Sequence, residues 1–260
     1  MWTNVIPFII RHPLMALGQG VQLGLEAFGF GLRGRIDWKA TLIQTRSIVV
    51  DSLTMILLLA SIGGGVLALQ SAKQFAQTGA DAYVGGLVSL ALVREIAPIF
   101  TALAIGARAG TAMASELAHM QVTNQIDALH VMHVRPARFL VLPRLLAALV
   151  SLPIATFIAE VVSVLVGMLV SKWATGLNHA LYLESVILTL TGYDIIVSLI
   201  KSVCFAVLIT VIACTVGLNT HGGAKDVGHS AMRSAVWTAL AVILADFLLS
   251  WFFFVGKAVF

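Results

Sequence analysis

The amino-acid sequence predicts an all-α integral membrane protein, and two observations carry that prediction. Of its 260 residues, 59% are hydrophobic and 11% are charged, whereas a soluble domain has about 25% charged residues. Several apolar runs have the roughly 20 residues that a helix needs to cross the hydrocarbon core of a membrane. These runs do not alternate with polar residues as barrel strands do. We therefore expect a bundle of helices, each of which satisfies its own backbone hydrogen bonds in lipid.

The N-terminal region, residues 1–46, predicts a helix that lies in the membrane interface. Gly, Gln and charged residues interrupt this region, so no clean span fits it. Its apolar residues recur three and four positions apart: Leu14, Leu17, Val21, Leu25 and Phe28. Such a face, flanked by Trp2 and Trp38, is typical of an interfacial helix. A poorly inserted first span is the alternative. The pattern of a cleaved signal peptide is absent, so none is expected.

We expect residues 1–260 to form a single domain. Within it, residues 47–260 predict a bundle of five membrane-spanning helices. They fall at residues 48–69, 83–118, 139–170, 195–218 and 234–255. The second run is too long for one crossing, so it either projects beyond the bilayer or kinks at Pro98, which lacks a backbone donor. The third is also over-long, and its crossing proper begins near Leu145. A short helix around 181–190 and a Gly-rich turn at 219–229 are expected between the later spans.

The distribution of Lys and Arg predicts a cytoplasmic N-terminus, because cytoplasmic loops carry an excess of these residues. With the N-terminus inside, eleven lie on the inner side: Arg11, Arg33, Arg35, Lys39, Arg46, Arg108, Arg135, Arg138, Arg144, Lys225 and Arg233. Three lie outside: Lys73, Lys172 and Lys257. This orientation places residues 116–135 on the cytoplasmic face. It also explains the net charge of +4 without nucleic acid, because the basic residues flank the apolar runs.

We consider five ionisable residues within the spans: Arg94, Glu95, Glu160, Lys201 and Asp246. Each costs roughly 2.5 to 3.5 kcal/mol at the centre of a membrane helix, so they should face the bundle interior and find partners. Lys201 and Asp246 are the predicted cross-helix partners of Arg94 and Glu95. Two interpretations stay open, namely buried ion pairs that fix helix register and a polar cavity that receives a lipid headgroup.

Enzyme motifs are absent from the sequence. There is no G-x-S-x-G, no H-E-x-x-H and no P-loop motif, and the histidines are not spaced as metal ligands. Cys204 and Cys214 share one apolar run without redox or metal spacing, and we interpret them as ordinary bundle residues. An intramembrane enzyme therefore lacks a nucleophile and base, and no cofactor is expected in this chain. If ATP drives the protein, another chain must bind ATP and Mg²⁺.

The chain between the second and third spans combines small residues with a short polar helix. Gly106, Ala107, Ala109, Gly110 and Ala112 predict close backbone packing, as Gly63, Gly64 and Gly65 do in the first span. We expect Thr123 to cap a helix over residues 124–131 and Arg135-Pro136 to end it. Ile126 and Leu129 would form an exposed apolar ridge beside Gln125 and Asp127. A docking helix and an ordinary interfacial turn fit this spacing equally well.

Several segments resemble the MlaE/YrbE family, in order from about Arg46 to the C-terminus. They are LVREIAP, GARAGTAMASELAHMQVTNQIDAL, VLPRLLA, GLNTHGGAKDVGHSAMRSAV and ADFLL. Members of that family are permease subunits of ABC transporters that work with MCE-domain proteins in lipid trafficking. The resemblance implies a homodimer of five-span subunits with an N-terminal interfacial helix. It also implies a cytoplasmic coupling helix, about residues 116–131, that enters a groove on the ATPase subunit.

The resemblance assigns residues to two roles. The ATPase-coupling motif matches at Glu116, Met120, Val122, Gln125, Ile126, Asp127, Ala128 and Leu129. Asn124 departs from the family's usual Glu, which removes one carboxylate from the start of the helix. The lipid cavity of the family lies between the two subunits, lined by the first, second and fifth spans. By position, the basic groups that meet a lipid phosphate are Arg46, Arg94 and Arg233, and the polar membrane network is Glu95, Lys201 and Asp246.

The sequence thus predicts a permease subunit in the bacterial inner membrane that moves phospholipid or a related lipid between membranes. Its expected partners are a second copy of itself, a cytoplasmic ABC ATPase and an MCE-domain protein. An ion- or proton-coupled secondary transporter is the alternative that the intramembrane charges permit. The odd number of spans and the lack of an inverted repeat stand against it.

Overall fold

The computed structural model describes residues 18–30, 37–78, 80 and 83–255, and within these residues all regular structure is helical. The helices are α1 (residues 18–30), α2 (Trp38–Thr78), α3 (Val84–Val122), α4 (Gln125–Val131), α5 (Ala137–Thr175), α6 (His179–Thr189), α7 (Gly192–Leu218) and α8 (Ala224–Phe254). Helices α2, α3, α5, α7 and α8 are each long and apolar enough to cross a membrane. The predicted all-α membrane fold with five spanning helices is confirmed.

Two spanning helices begin earlier than the hydropathy predicted. Helix α2 starts at Trp38, so residues 38–46 are its first turns and not part of a separate interfacial region. Asp37 caps it, because its Oδ1 accepts the Ala40 N–H at 3.1 Å. Helix α8 starts at Ala224, so the Gly-rich turn is shorter than expected. Asp226 fixes that start by accepting the Gly223 N–H at 3.0 Å. Both starts carry polar residues, which a hydropathy criterion excludes.

Helix α3 runs past Pro98 and contains two wider π-helical turns, Leu92–Ile96 and Gly106–Gly110. The first lies immediately before Pro98, where the ring would crowd the carbonyl of the preceding turn. A π turn at such a point is one way in which a helix accommodates a local insertion, and such turns are frequent at functional sites. The long run is thus helical without a break over Val84–Val122.

The described residues group into two compact units, which are treated separately. The first unit draws on the described part of Met1–Ile48, on Gly106–Leu149 and on Ala206–Ala241. Its core is a buried apolar cluster that brings α1, α3, α4, α5 and α7 together: Ala27, Leu117, Ile126, Leu140, Val141, Leu142, Leu145 and Cys214. Gly106 and Gly110 of α3 face Thr238 and Ile209 closely, as predicted for small residues.

Helix α1 packs on α7 in this first unit through its small residues. An added Cβ at Gly20 would lie 3.1 Å from Thr215 Oγ1, and one at Gly24 would lie 3.1 Å from Val211. The predicted apolar face of α1 stays uncovered, since Val21, Leu25 and Phe28 are each more than half exposed. Leu14 and Leu17, the other members of that face, lie outside the described residues. An uncovered apolar face is what a helix at a membrane interface requires.

The second unit comprises Val49–Ile105, Val150–Phe205 and the described part of Val242–Phe260. Helices α2 and α5 each carry a buried stripe of mostly small residues four positions apart. The stripe of α2 is Ser52, Ile56, Ala60, Gly64, Ala68 and Ala72, and that of α5 is Ser151, Ala155, Ala159, Ser163, Gly167 and Ser171. Gly64 lies directly against the backbone of Ser163, so the two helices touch through main-chain atoms.

The short helix predicted around residues 181–190 is α6, and it packs on the start of α3. Gly85 lies against the backbone of Tyr182, and the Gly86 N–H donates to Ser185 Oγ at 2.8 Å. The Tyr182 ring is buried, and burial raises the pKa of its hydroxyl to about 12. Glycines are needed at both contact positions because any side chain would separate the two helices.

Candidate functional site

Lys201 of α7 is the centre of a buried polar cluster in the second unit. Its ammonium group is fully buried and donates to Glu95 Oε2 at 3.0 Å and to Ser250 Oγ at 2.7 Å. Asp246 Oδ1 lies 3.0 Å from the same nitrogen. Ser250 also donates to Glu95, so the cluster closes on itself. The predicted pairing of Lys201 with Glu95 is confirmed, and Asp246 is part of the same group.

A backbone carbonyl completes the shell of Lys201. Its Nζ donates to the carbonyl oxygen of Arg94 at 2.8 Å. In a regular helix that carbonyl would accept the N–H of the residue four positions later, but that residue is Pro98, which has none. The proline therefore leaves a carbonyl oxygen for the lysine.

The Arg94 side chain takes a different partner from the one predicted. Its Nε donates to Asp194 Oδ1 at 2.7 Å, and Asp194 is fully buried. Thr191 donates to the other carboxylate oxygen through both its N–H and its hydroxyl. The guanidinium also lies over the Phe254 ring, 4.3 Å from its centroid. Arg94 and Glu95 thus serve separate partners, as expected for adjacent helical residues.

Sequence reasoning missed Asp194 and Ser250. Asp194 directly precedes the apolar run predicted as the fourth span, residues 195–218, so it fell outside the spans whose ionisable residues were considered. The available signal was its position: a carboxylate at the start of a span can reach an arginine in a neighbouring helix. Ser250 carries no charge, and nothing in the sequence sets it apart from the other serines.

Glu160 is the last of the five ionisable residues predicted within the spans, and it lies on α5. It is buried, and the hydroxyl of Ser198 on α7 donates to its carboxyl group. Within the described residues no cation contacts it. Glu160 is therefore satisfied by a hydrogen bond between two helices rather than by an ion pair.

Arg46 and Arg233, the other two predicted phosphate-binding groups, are exposed on α2 and α8. Neither makes an ion pair or hydrogen bond within the part of the chain that the structure describes. Their guanidinium groups are thus open to an external anion, whereas that of Arg94 is already shared with Asp194 and Phe254.

In the first unit, Thr123 and Asn124 connect α3 to the short helix α4, and Asn124 has a left-handed backbone with φ of 58°. Asn is one of the few residues that adopt this conformation readily. The expected cap by Thr123 is wrong, because its hydroxyl donates back to the His119 carbonyl at 2.8 Å and so ends α3. Asn124 is the residue before α4, and its side chain makes no cap either. The turn is therefore set by backbone conformation.

The end of α4 also differs from the prediction. His133 adopts a left-handed backbone with φ of 58°. Its N–H donates to His130 O at 3.0 Å and the N–H of Val134 donates to Leu129 O at 2.9 Å. These two bonds form a Schellman motif, which ends the helix before Arg135 is reached. Pro136 instead directly precedes α5, at a position where a missing N–H has no cost.

The predicted apolar ridge of α4 does not face solvent. Ile126 is 4% exposed and belongs to the core of the first unit, against which Leu129 and Met120 also pack. The exposed face of α4 carries Gln125, Asp127 and Ala128 instead. Val131 and Met132, which the sequence did not single out, are the exposed apolar side chains at its end, 79% and 63% exposed. Val122, the last residue of α3, is half-buried.

No group of three or more metal-ligating side chains occurs among the described residues. The histidines near α4 lie apart on its exposed surface and on the turn that follows. Cys214 is in the apolar core and Cys204 is partly buried, and neither forms a disulfide. Both cysteines are bundle residues, as predicted.

The family model described as Permease MlaE matches residues 41–252 of this chain. The chain belongs to this family. The match covers all five spanning helices almost completely, together with the Lys201 cluster and α4. The resemblance noted in the sequence motifs is thereby confirmed.

This MlaE-family permease is similar to several named proteins. A probable ABC transporter permease of Synechocystis sp. is 38% identical over 225 residues, covering 86% of each chain. A probable ABC transporter permease of Rickettsia felis is 32% identical over 203 residues, 78% of each chain. The chloroplastic protein TRIGALACTOSYLDIACYLGLYCEROL 1 of Arabidopsis thaliana is 35% identical over 254 residues, 96% of this chain and 73% of its own.

Membership fixes the coarse assignment of this MlaE-family permease. It is an integral membrane protein of the ABC transporter permease class. A permease of that class works with an ATPase partner, as expected from the missing P-loop. The secondary-transporter alternative, which only the intramembrane charges had favoured, has no support from the family.

Proposed function

We propose that this permease moves phospholipid or a related lipid between membranes. It would act as a homodimer in the bacterial inner membrane, with a cytoplasmic ATPase that binds ATP and Mg²⁺ and an MCE-domain protein on the other side. The chain itself would perform no chemistry. The Arabidopsis relative named for trigalactosyldiacylglycerol, a lipid, supports the lipid class of substrate.

One structural observation supports the proposal of a dimer with a lipid cavity. In the most apolar stretch of each spanning helix, 28% of α2 residues and 17% of α8 residues are buried, against 56% for α3. Of the three spans that the resemblance places at the dimer cavity, the first and the fifth therefore leave most of their apolar surface uncovered, whereas the second, α3, is the most buried of the five. Such surfaces on a membrane protein face either lipid or a partner helix. A second copy and bound acyl chains would cover them.

The exposed arginines supply the polar part of a lipid site. Arg46 and Arg233 have unshared guanidinium groups, which bind phosphate through two parallel hydrogen bonds. The Lys201 cluster would stabilise the bundle around the cavity, because its ammonium is enclosed by four oxygen atoms and has no donor left for a ligand.

The exposed face of α4 is the proposed ATPase contact. Asn124, Gln125 and Asp127 offer hydrogen-bonding groups, and Val131 and Met132 offer apolar surface beside them. ATP binding and hydrolysis in the partner would shift the permease between states through this surface. A cytoplasmic position for α4 follows from the excess of Lys and Arg on that side.

The experiment is purification of the permease with its ATPase partner, followed by mass spectrometry of bound lipid. We expect phospholipid in the wild-type complex and less of it in Arg233→Gln. The matched control is Lys225→Gln, which removes an exposed positive charge from the same helix. Absence of an ATPase subunit from the wild-type complex would refute the ABC assignment. Equal lipid in both variants would refute the role of Arg233.

A further inference from the structure

Glu116 of α3 and Arg144 of α5 form an ion pair whose two members have very different surroundings. Arg144 Nη2 lies 2.8 Å from Glu116 Oε2. The Arg144 side chain is 5% exposed and the Glu116 side chain is 55% exposed. One partner is thus anchored inside the first unit, while the other reaches the surface.

The Arg144 side chain, which is the buried member of the pair, is held in place by its surroundings. Arg144 Nη1 donates to the Leu140 carbonyl oxygen at 2.7 Å, and Leu140, Val141 and Leu145 around it belong to the apolar core. Within the described residues Arg144 Nε–H has no acceptor, which is unfavourable for a buried donor. A buried ion pair often stabilises a protein no more than well-packed apolar residues would. A contribution to the stability of the permease therefore does not by itself explain why position 144 is an arginine.

Glu116 keeps one carboxylate oxygen available. Arg144 binds Oε2, and Oε1 has no hydrogen bond within the described part of the chain. Glu116 lies on an exposed face of α3 with His119, about two turns before the connection to α4. A carboxylate that is already oriented loses less conformational entropy when it binds a second partner.

We propose that Arg144 is a positioning residue that directs the free oxygen of Glu116 towards a basic or N–H donor group on the ATPase. The donor chemistry follows because an ionised carboxylate only accepts hydrogen bonds. This inference rests on the proposed function. It assigns a role to Arg144, a buried residue that cannot touch the ATPase itself, and it states what the ATPase surface presents opposite Glu116.

The test measures the affinity of the purified ATPase subunit for the permease in detergent. Arg144→Met keeps the length of the side chain in its apolar surroundings but releases Glu116. We expect about tenfold weaker binding, as for loss of one charge-assisted hydrogen bond, with an unchanged or higher midpoint of thermal unfolding. Arg138→Met, which removes an exposed charge from the same helix, should bind as the wild type does.

The charge swap Glu116→Arg with Arg144→Glu separates positioning from stability. It keeps an ion pair but presents the opposite charge to the ATPase, so we expect binding to stay weak at an unfolding midpoint close to that of the wild type. Wild-type affinity in the swap would show that the pair is structural only and would overturn the inference. Wild-type affinity in Arg144→Met would overturn it as well.

Three further outcomes are distinguished. If Arg144→Met fails to insert, the surface variant Glu116→Gln carries the test, with the same expected loss, and wild-type affinity in that variant would refute the inference. If the wild-type permease binds no ATPase subunit, the proposed function fails and the inference fails with it. In contrast, a tight wild-type complex that is insensitive to these substitutions rejects the inference alone.

Discussion

Lys201 donates a hydrogen bond to the backbone carbonyl of Arg94 at 2.8 Å, which is the carbonyl that Pro98 leaves without a helical donor. Helix α3 thereby offers a main-chain oxygen to a charge on α7, at the π turn Leu92–Ile96. A proline that would otherwise weaken a membrane helix is compensated by a lysine that would otherwise be short of acceptors. The two features that look unfavourable in the sequence satisfy each other.

Lys201→Met should be strongly destabilising. It leaves the carboxyl groups of Glu95 and Asp246 without their cation, and breaking a buried ion pair from one side costs about 3 to 5 kcal/mol. Asp246→Asn is the matched control, because Lys201 then keeps Glu95, and we expect a smaller loss. The midpoint of thermal unfolding in detergent provides the comparison. An equal effect of the two substitutions would contradict the central position of Lys201.

Pro98→Ala should change how Lys201 is bound. The new N–H at position 98 competes for the Arg94 carbonyl, so the effects of Pro98→Ala and Lys201→Met on stability should not add. We expect a coupling energy of roughly 0.5 to 3 kcal/mol from a double-mutant cycle. Pro153→Ala, another proline within a spanning helix, is the control and should be additive with Lys201→Met. Additivity in both cycles would disprove the link.

Gly64→Ala should destabilise the second unit, whereas Gly65→Ala should not. An added Cβ at Gly64 would overlap the backbone of Ser163, but at Gly65 it would meet only side chains, the nearest at 3.5 Å. We expect a cost of about 1 to 3 kcal/mol at Gly64 from overpacking. Gly65→Ala should be neutral or slightly stabilising because Ala favours the helix. Unfolding midpoints of the two variants decide the matter.

Asn124→Val should disturb α4, and Asn124→Gly should not. The left-handed backbone at this position costs a β-branched residue roughly 1 to 2 kcal/mol, while Gly adopts it without strain. Hydrogen exchange of the α4 amides is the direct measurement. Faster exchange in both variants would mean that the Asn side chain, and not its backbone, holds the turn.

Ile126→Asp and Asp127→Arg should have different effects although the residues are adjacent. Ile126 is buried in the apolar core, so a carboxylate there should lower the unfolding midpoint of the permease itself. Asp127 is exposed on the proposed ATPase contact, so Asp127→Arg should reduce ATPase stimulation at an unchanged midpoint. A stable Ile126→Asp variant that only loses ATPase stimulation would restore the exposed ridge predicted from the sequence.

Hydropathy and pairing rules predicted much of this architecture. The five spans followed from the length of the apolar runs, and the Lys201–Glu95 pair followed from the cost of an unpaired charge in lipid. Asp194 could not be predicted in the same way because it lies at the end of a span, where a carboxylate has little cost. Spacing identified the apolar face of Ile126 and Leu129, but it cannot say whether such a face meets solvent or core.

Helix ends were the least predictable part. Asp37 and Asp226 extend α2 and α8 beyond their apolar runs by capping, and His133 ends α4 with a left-handed residue that is not glycine. Each depends on a local hydrogen bond that a hydropathy profile does not register. The Arg144–Glu116 pair joins residues on separate helices. Counting charges on each side of the membrane does not predict which residues form such a pair.

The contact of Gly64 with the Ser163 backbone has a consequence for how this protein can vary in length. Each added or deleted residue rotates the rest of a helix by about 100°, so one insertion within residues 52–72 or 151–171 would turn bulky side chains onto the shared surface. Neither helix could then approach the other's main chain. Insertions and deletions should therefore be confined to the segments outside these two stretches. The regular spacing of the small residues fixes the number of residues in the contacting part of each helix.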